Sequence, residues 1–542
     1  MISPPLRIAL LSYRSKPHSG GQGIYVRHLS RELVRLGHQV EVFSGPPLPD
    51  LDDGVGLTVL PSLDLYREPD PFRTPRLSEF RTPVDVLEWT AMCTGAFPEP
   101  LTFSLRAWRF LRERLSEFDI VHDNQCLGYG LLPLSRSDTP VVATIHHPIT
   151  VDRDLELAAA PDWKRRLSLR RWYAFTRMQG RVARNLPWLT TVSNAARDEI
   201  VEAFRVPAER LRVIGVGVDV DTFSPAGNTT SLAGSTTVES DTCGGATPDS
   251  ASTNGALGTP AGQATVGAAA GQATVSAATT RQTAVSAATE NGVATGAASG
   301  NAAVGDAAEN HAGEGGTAVD DVAADGAPRD GGIRANGSQG GGSAGGGVAG
   351  WARGDRIVAV ASADVPLKGL PELIEAVAKL RADHDVELVV VGSARPDGAA
   401  ARAIARLGLD RAVRFVSGIS DDELADLFRS ATVAAVPSRY EGFSLPAVEA
   451  MACGVPLVVT TAGALPEVTG PDGLASLHVA PGDAEALSAA IGRLLDDEAL
   501  RRRLGAAGRR RAVEHFTWRR TAMRTAEWYA EAIEEHRKRR RP

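Results

Sequence analysis

Between residues 226 and 350 this 542-residue chain has no Phe, Trp or Tyr, and most positions there are Ala, Gly, Thr or Ser. Such a stretch cannot bury enough apolar surface to offset the entropy of ordering its backbone. It is expected to be a disordered insert separating two foldable parts that together hold about 417 residues. The near-repeats GQATV at 262 and 271 and VSAAT at 275 and 285 are too few, and too poor in large apolar residues, for a stacked solenoid core. A flexible tether is the simpler reading.

Charge divides the same way. The insert carries eleven acids against Arg281, Arg329 and Arg334, a net of −8, while the whole chain sums to −7. The remainder is near +1, without the basic domain that a dedicated nucleic-acid binder shows, so no nucleic-acid partner is expected. Cys93, Cys126, Cys243 and Cys453 lie far apart, with no Cys-x-x-Cys pair, which argues against a disulfide framework or a zinc site. No stretch reaches the roughly 18 uninterrupted apolar residues of a membrane span, and the opening residues lack a signal-peptide pattern. A cytoplasmic protein is expected.

On both sides of the insert, short apolar runs alternate with amphipathic segments, the pattern of βαβ units and parallel sheets. Strands are predicted at 6–13, 39–44, 119–122, 141–146, 188–193 and 212–216, then at 356–361, 386–392, 413–417, 432–436 and 456–460. Helical patterns cover 24–36, ending at Gly37, and 369–382 and 421–430. The fold class is α/β: two Rossmann-like domains facing across a cleft. Their limits are 1–225 and 351–517, with the insert at 226–350. A C-terminal helix and basic tail over 518–542 is expected to complete the first domain through about 518–537.

Two passages could carry chemistry. The first strand runs into SKPHSGGQGIYVRHLSREL, where Gly20 and Gly21 precede a helix whose backbone N–H groups and dipole favour an anion. Alone, such a glycine pair is equally an ordinary turn. The second passage is VPSRYEGFSLPAVEAMACGVPLVVTTAGALPE. A strand ending at Val436 leads to Glu441, Gly442, Phe443 and Ser444, then to a helix starting near Leu445 with Glu449 about one turn in. Ligands of open α/β sheets sit at the carboxyl ends of strands. There the loop amides suit a phosphate, and Glu449, an acceptor when ionised, suits the paired hydroxyls of a ribose.

The run EGFSLPAVE followed by MACG-x-P resembles the retaining GT-B glycosyltransferases of family 4. The resemblance extends over most of the chain outside the insert. It takes in the SGGQGIYVRHLSREL opening, T-I-H-H at 144–147, GVGVDVDTFSP at 215–225, LKGL near 368, GDAEALSAAI and F-T-W at 516–518. It implies that Glu441 lies near the transferred sugar and Glu449 holds the ribose. It further implies that Gly442, Phe443, Ser444 and Leu445 offer amides to sugar hydroxyls and phosphate. Lys368, Gly20 and Gly21 are implied to meet the diphosphate, and His146 the reacting sugar, with His147 one position away as second choice. Where the family commonly has an arginine five positions before the lysine, this chain has Ala363. A missing charge-assisted contact of that kind weakens transition-state stabilisation by a few kcal/mol unless it is replaced; Arg439 and Arg395 are the candidates to replace it.

The activity implied is transfer of a hexose-type sugar from a nucleoside-diphosphate sugar to an acceptor hydroxyl with retention. No metal or other cofactor is implied, since Lys368, helix N-termini and glycine amides can meet the charge on the leaving group. Partners are the donor and a sugar or lipid-linked glycan acceptor. The competing readings are an inactive or regulatory nucleotide-sugar binder, motivated by Ala363, and a nucleotide-sugar 2-epimerase. Between Trp163 and Arg184 stand eight basic residues and no acid. On one helical wheel Arg166, Arg170, Arg177, Arg181 and Arg184 form a stripe beside Trp163, Leu167, Phe175, Met178 and Val182. That stripe fits peripheral contact with an anionic bilayer at the inner face of the plasma membrane, with the tail HRKRRRP adding to it. It fits packing on the N-terminal sheet equally well.

Deleting residues 228–348 and leaving a short linker is expected to yield soluble protein with an unchanged melting temperature. Loss of soluble protein on deletion would overturn the reading of the insert.

Overall fold

Strands that are apolar at almost every position need cover on both sides of their sheet, and the chain builds two sheets of this kind. The computed structural model describes residues 4–15, 21–67, 70, 72–226, 354–361, 365–395 and 398–540. Apart from Ala226, the expected insert lies outside them. The first sheet contains β1 (Arg7–Ser12), β2 (Gln39–Ser44), β3 (Gly56–Val59), β4 (Ile120–Asn124), β5 (Val141–Ile145), β6 (Trp188–Thr191) and β7 (Leu211–Val213), in the order β3-β2-β1-β4-β5-β6-β7. The second contains β8 (Asp355–Val360), β9 (Val386–Val391), β10 (Val413–Val416), β11 (Val433–Val436), β12 (Leu457–Thr460) and β13 (Ser476–Val479), in the order β10-β9-β8-β11-β12-β13. The pairings are parallel throughout. Two Rossmann-like domains are what the alternating pattern led one to expect.

Side-chain alternation sorts the core into three apolar layers. Ile8 and Leu10 of β1 enter one, whereas Ala9 and Leu11 enter another behind the first sheet. In the second sheet Val358, Val436 and Val459 join the same layer as Ile8 and Leu10, while Ile357, Val390 and Val458 face a third. One apolar layer is therefore common to both halves. Ile214, Val216, Val218 and Phe223 run through it, as do Trp518, Trp528 and Tyr529 of the last helix, Trp518–Arg540. That helix returns to the first sheet: the Tyr529 hydroxyl lies 2.5 Å from His122 Nδ1, and both residues are fully buried.

Several boundaries differ from expectation for local reasons. The strand expected over 188–193 stops at Thr191, because Ser193 caps the helix Asn194–Phe204 by accepting from Ala196 N–H at 3.0 Å. The helix expected over 369–382 begins at Leu370, with Gly369 before it at φ +62°. A Cβ at Gly369 would fall 2.0 Å from the Pro437 carbonyl oxygen, so a side chain cannot fit beneath the exit of β11. The helix expected over 24–36 starts earlier, at Gly21. β3 and β13 were not expected: β3 is a four-residue edge strand and mostly exposed, and β13 carries Ser476 and His478 among only four residues.

The basic run at 163–184 is not one helix. It breaks at Tyr173 and Ala174 into the helices Trp163–Trp172 and Phe175–Asn185, so the single stripe read from one wheel does not form. In the second helix Met178 and Val182 are buried in the core of the first sheet. Two of its three arginines are engaged within the fold: Arg181 donates to the Tyr129 hydroxyl and Arg184 to the Phe204 carbonyl, each at 2.7 Å. Trp163 and Leu167 in the first helix remain exposed. In the tail, Arg540 donates to the carbonyls of Arg136 and Ser137 and pairs with Asp138. Among the described residues no helix is long and apolar enough to cross a membrane.

Tyr529→Ala removes a fully buried ring and leaves His122 Nδ1 without its partner. The expected cost is about 3–5 kcal/mol, read as a lower denaturation midpoint in urea. A loss below about 1 kcal/mol would show that the returning helix is not needed to complete the first domain.

Candidate active site

In an open parallel sheet the strand order reverses direction at one point, and the crevice beyond the carboxyl ends of the two strands there receives ligands. That point lies between β1 and β4 in the first sheet and between β8 and β11 in the second. The helix Gly21–Arg35 follows β1, residues 125–127 follow β4, Lys368 follows β8, and the Glu441 loop follows β11.

After β11 the chain turns through Pro437 to Ser444 into the helix Leu445–Ala452. Ser444 sits ahead of that helix at φ +82°, and its hydroxyl is buried without a hydrogen bond. Pro446 in the first turn donates no N–H, so Ser444 and its neighbours hold the free amide donors of this end. Glu441 is buried, and its Oε1 accepts from Lys368 Nζ at 2.9 Å and from Ser438 Oγ at 2.7 Å. The cation and the carboxylate singled out separately in the sequence thus form one charge-assisted pair. The Glu441 carbonyl accepts from Ala464 N–H at 2.8 Å. A Cβ at Gly463, which has φ +54°, would lie 2.2 Å from that carbonyl oxygen, so glycine is required there. Burial, followed by repulsion from Asp421, pushes the Glu449 carboxyl up to about 8. The Phe443 ring is buried and packs edge-on against Phe516 at 5.7 Å.

On the opposite side His146 is held at three points. Its backbone N–H donates to Gln125 Oε1 at 2.7 Å, its Nε2 lies 2.8 Å from Asn124 Oδ1, and its ring meets Tyr25 edge-on at 4.7 Å. With the Asn124 carbonyl facing it, Nε2 is the protonated nitrogen. Burial, with the neighbouring His147 second, lowers the His146 imidazole to about 3, so the ring is neutral. His147 instead pairs with Asp152 at 3.2 Å. The Glu441 loop touches this segment directly: a Cβ at Gly442 would lie 3.3 Å from the His146 carbonyl oxygen and from His147 Cβ. Ser193 Oγ donates to the Gly442 carbonyl at 2.7 Å, and Asn194 is bound to Glu467 at 2.8 Å.

The structure therefore brings together Lys368, Glu441, Gly442 and the His146–His147 segment, with Ser444 and Leu445 at the adjacent helix start. Gly21 is the first residue of the helix after β1, with open space around it. Gly20 and Ala363 lie outside the described residues. Of the candidate replacement cations, Arg439 is bound to Glu372, and Arg395 is exposed beyond β9. Sequence reading missed Asn124, Gln125, Ser193 and Ser438. Asn124 could have been found, since HDNQ is a polar run ending a strand that must be buried on both faces. Beside Asn124, fully buried Asp123 has Oδ1 without a hydrogen bond, and burial raises its carboxyl to about 7.

The family model described as Glycosyl transferases group 1 matches residues 348–511, and the one described as Glycosyltransferase Family 4 matches residues 19–222. The chain is 44% identical over 529 residues to the MMP alpha-(1->4)-mannosyltransferase of Mycolicibacterium hassiacum, covering 97% of this chain and 98% of that one. It is 37% identical over 190 residues to the D-inositol 3-phosphate glycosyltransferase of Streptomyces griseus, covering 34% of this chain and 40% of the relative. Among solved structures, sucrose-phosphate synthase from Thermosynechococcus elongatus superimposes with a TM-score of 0.59 at 18% identity, covering 98% of this chain and all (100%) of that one. Anabaena HepE in complex with UDP-glucose gives 0.55 at 15% identity, covering 97% and 100%. These two likenesses are of fold.

Raised carboxyls make a prediction about stability. Glu449, at about 8, and Asp123, at about 7, hold protons in the folded chain that the unfolded chain releases near pH 4. Their contribution is complete below the unfolded values and is lost as pH rises through the folded ones. Glu449→Gln is expected to flatten the fall in melting temperature between pH 5 and pH 8, a difference on the order of a few kcal/mol. An identical pH profile in the variant would contradict the burial of this carboxyl.

Proposed function

This chain belongs to family 4 of the glycosyltransferases, the group 1 transferases, and from that premise we propose that it transfers mannose from a nucleoside-diphosphate mannose to a sugar hydroxyl, forming an α-(1→4) bond with retention and without a metal. The observation that carries this reading is the 44% identity to a mannosyltransferase, sustained over 97% of the chain. The N-terminal domain holds the acceptor and the C-terminal domain the nucleotide sugar.

In the proposed reaction the bond between the anomeric carbon and the diphosphate oxygen breaks and a bond from that carbon to the acceptor oxygen forms. The acceptor proton ends on the departing diphosphate. Lys368, now paired with Glu441, is shared with the diphosphate when the donor enters, and the amides at Ser444 and Leu445 meet the same charge. Glu441 accepts hydrogen bonds from hydroxyls of the transferred mannose. Glu449 does the same for the ribose, one turn along the helix. His146 is neutral, so it acts as a hydrogen-bonding group toward the sugar and carries no charge in the step. Asn124 positions it by fixing the tautomer.

The test is product analysis with GDP-, UDP- and ADP-linked mannose and glucose on an α-(1→4)-linked mannotetraose. The expected product is a pentaose with a new α-(1→4) bond, formed equally well in EDTA. Lys368→Ala and Glu441→Gln are each expected to lower kcat by about 10²–10³. Preferred transfer of another hexose, or conversion of the donor without an acceptor, would overturn the reading.

A further inference from the structure

The residues on either side of Glu441 in the chain are both held by the same helix of the N-terminal domain. That helix, Asn194–Phe204, starts just beyond β6 with Ser193 as its cap. The buried Ser193 hydroxyl accepts from Ala196 N–H at 3.0 Å and donates to the Gly442 carbonyl at 2.7 Å, so it is used both ways. On the other side of Glu441, the Tyr440 hydroxyl donates to Glu199 of the same helix. A third tie runs through the helix Leu465–Thr469. Glu467 there accepts from Asn194 N–H and from Asn194 Nδ2, each at 2.8 Å. Its carboxylate thus meets the first turn of the helix Asn194–Phe204, where free N–H groups and the dipole favour an anion. Just before that short helix, Ala464 N–H donates to the Glu441 carbonyl at 2.8 Å, and Arg511 holds the carbonyls of Glu467 and Val468 at 2.7 Å each.

Resting on the reading that Glu441 grips the transferred sugar, we propose that Ser193 and Asn194 are positioning residues for the transfer. They hold the stretch from Tyr440 to Phe443 so that the Glu441 carboxylate and the Phe443 amide are aligned before the sugar arrives. They act through the loop and touch neither sugar nor diphosphate.

Lys368 and Ser438 set the Glu441 side chain. The peptide planes beyond it turn on Gly442, the residue type with the widest choice of backbone angles. In a planar trans peptide the carbonyl and the following N–H point in opposite directions. Fixing the Gly442 carbonyl on Ser193 therefore also aims the Phe443 N–H, away from Ser193. With Tyr440 anchored to Glu199 and Gly442 to Ser193, Glu441 stands between two held neighbours, and little ordering is left for the reaction to supply. Capping a helix requires only that Ser193 accept from Ala196. Its donation to Gly442, and the second bond from the Asn194 side chain, go beyond that need and reach the loop that carries Glu441 and the short helix behind it.

The experiment uses the full chain and separates binding from turnover. Affinity for GDP-mannose is read by tryptophan fluorescence without acceptor, and kcat is then measured with α-(1→4)-linked mannotetraose. Asn194→Asp sets two carboxylates against each other across this contact. Asn194 is exposed, and an acid suits the first turn of its helix, so the fold tolerates the change. The expected result is a kcat lower by about 10- to 100-fold with donor affinity within about twofold. The double exchange Asn194→Asp/Glu467→Gln again matches a donor to an acceptor at both bonds, and is expected to bring kcat back to within about threefold of the starting chain. Ser193→Asp keeps the acceptor for Ala196 N–H but has no hydrogen to give Gly442, and is expected to lose kcat in the same way; Ser193→Thr restores the hydroxyl and recovers most of it. Unchanged kcat in Asn194→Asp, a double exchange no better than the single one, or a donor affinity that falls in step with kcat would overturn the positioning role. Should another nucleotide hexose replace GDP-mannose as the donor and show the same split between kcat and affinity, the mannose reading would fall and the positioning role would stand.

Discussion

A parallel sheet must hide both faces, and in this chain one continuous apolar cluster runs from a face of the first sheet to a face of the second. The shared layer is closed by residues 214–223 and by the helix Trp518–Arg540, which carries Tyr529 back to His122. Its cross-ties are made to backbone. Arg509 donates to the carbonyls of Val220, Phe223 and Ala452, and Arg429 to that of Ser224. With the sheets tied in this way, the carboxyl ends of β4 and β5 stand opposite the loop after β11. Loop contacts such as Gly442 against His146 and His147 follow from that placement.

Charge at this meeting place is held in check by pairing and by burial. Lys368 and Glu441 neutralise each other, and Ser438 satisfies the same carboxylate oxygen. His146, His122 and Asp123 lie where burial favours their neutral forms. A site arranged like this carries few fixed charges of its own, so a nucleoside diphosphate would be the dominant charge within it. Each fixed dipole then counts for more than it would in water.

Much of this was legible because the sequence and the structure use the same periods. β1, β5, β8, β9 and β12 come from runs apolar on both faces, and those runs show as strands before any pairing is known. Edge strand β3 has no such run, because water covers much of it. The break at Tyr173–Ala174 was not visible on a helical wheel, which assumes the continuity it is meant to test; neither residue is a glycine or proline. Of the site, the residues that could be read were those in compact motifs: Glu441, Glu449, Lys368 and His146. Asn124 and Gln125 act from the end of β4 and Ser193 from just beyond β6, and their meeting with His146 or Gly442 depends on strand order, which no local pattern encodes. The Lys368–Glu441 pair, 73 positions apart, was hidden for the same reason.

Among the described residues, eight buried side-chain polar atoms have no hydrogen bond, and four of them lie at or just beyond strand ends. Asp123 Oδ1 and Asn124 Nδ2 end β4, Thr191 Oγ1 ends β6, and Ser444 Oγ follows β11. Each such atom costs about 1–3 kcal/mol when no partner reaches it. A core shaped by stability alone would have replaced them with apolar groups, as the neighbouring positions Ile120, Val121 and Val436 show is sterically acceptable in these strands. Polar atoms kept at the carboxyl ends of β4 and β6 and just beyond β11, at that cost, are the physical mark of positions kept polar for something other than folding.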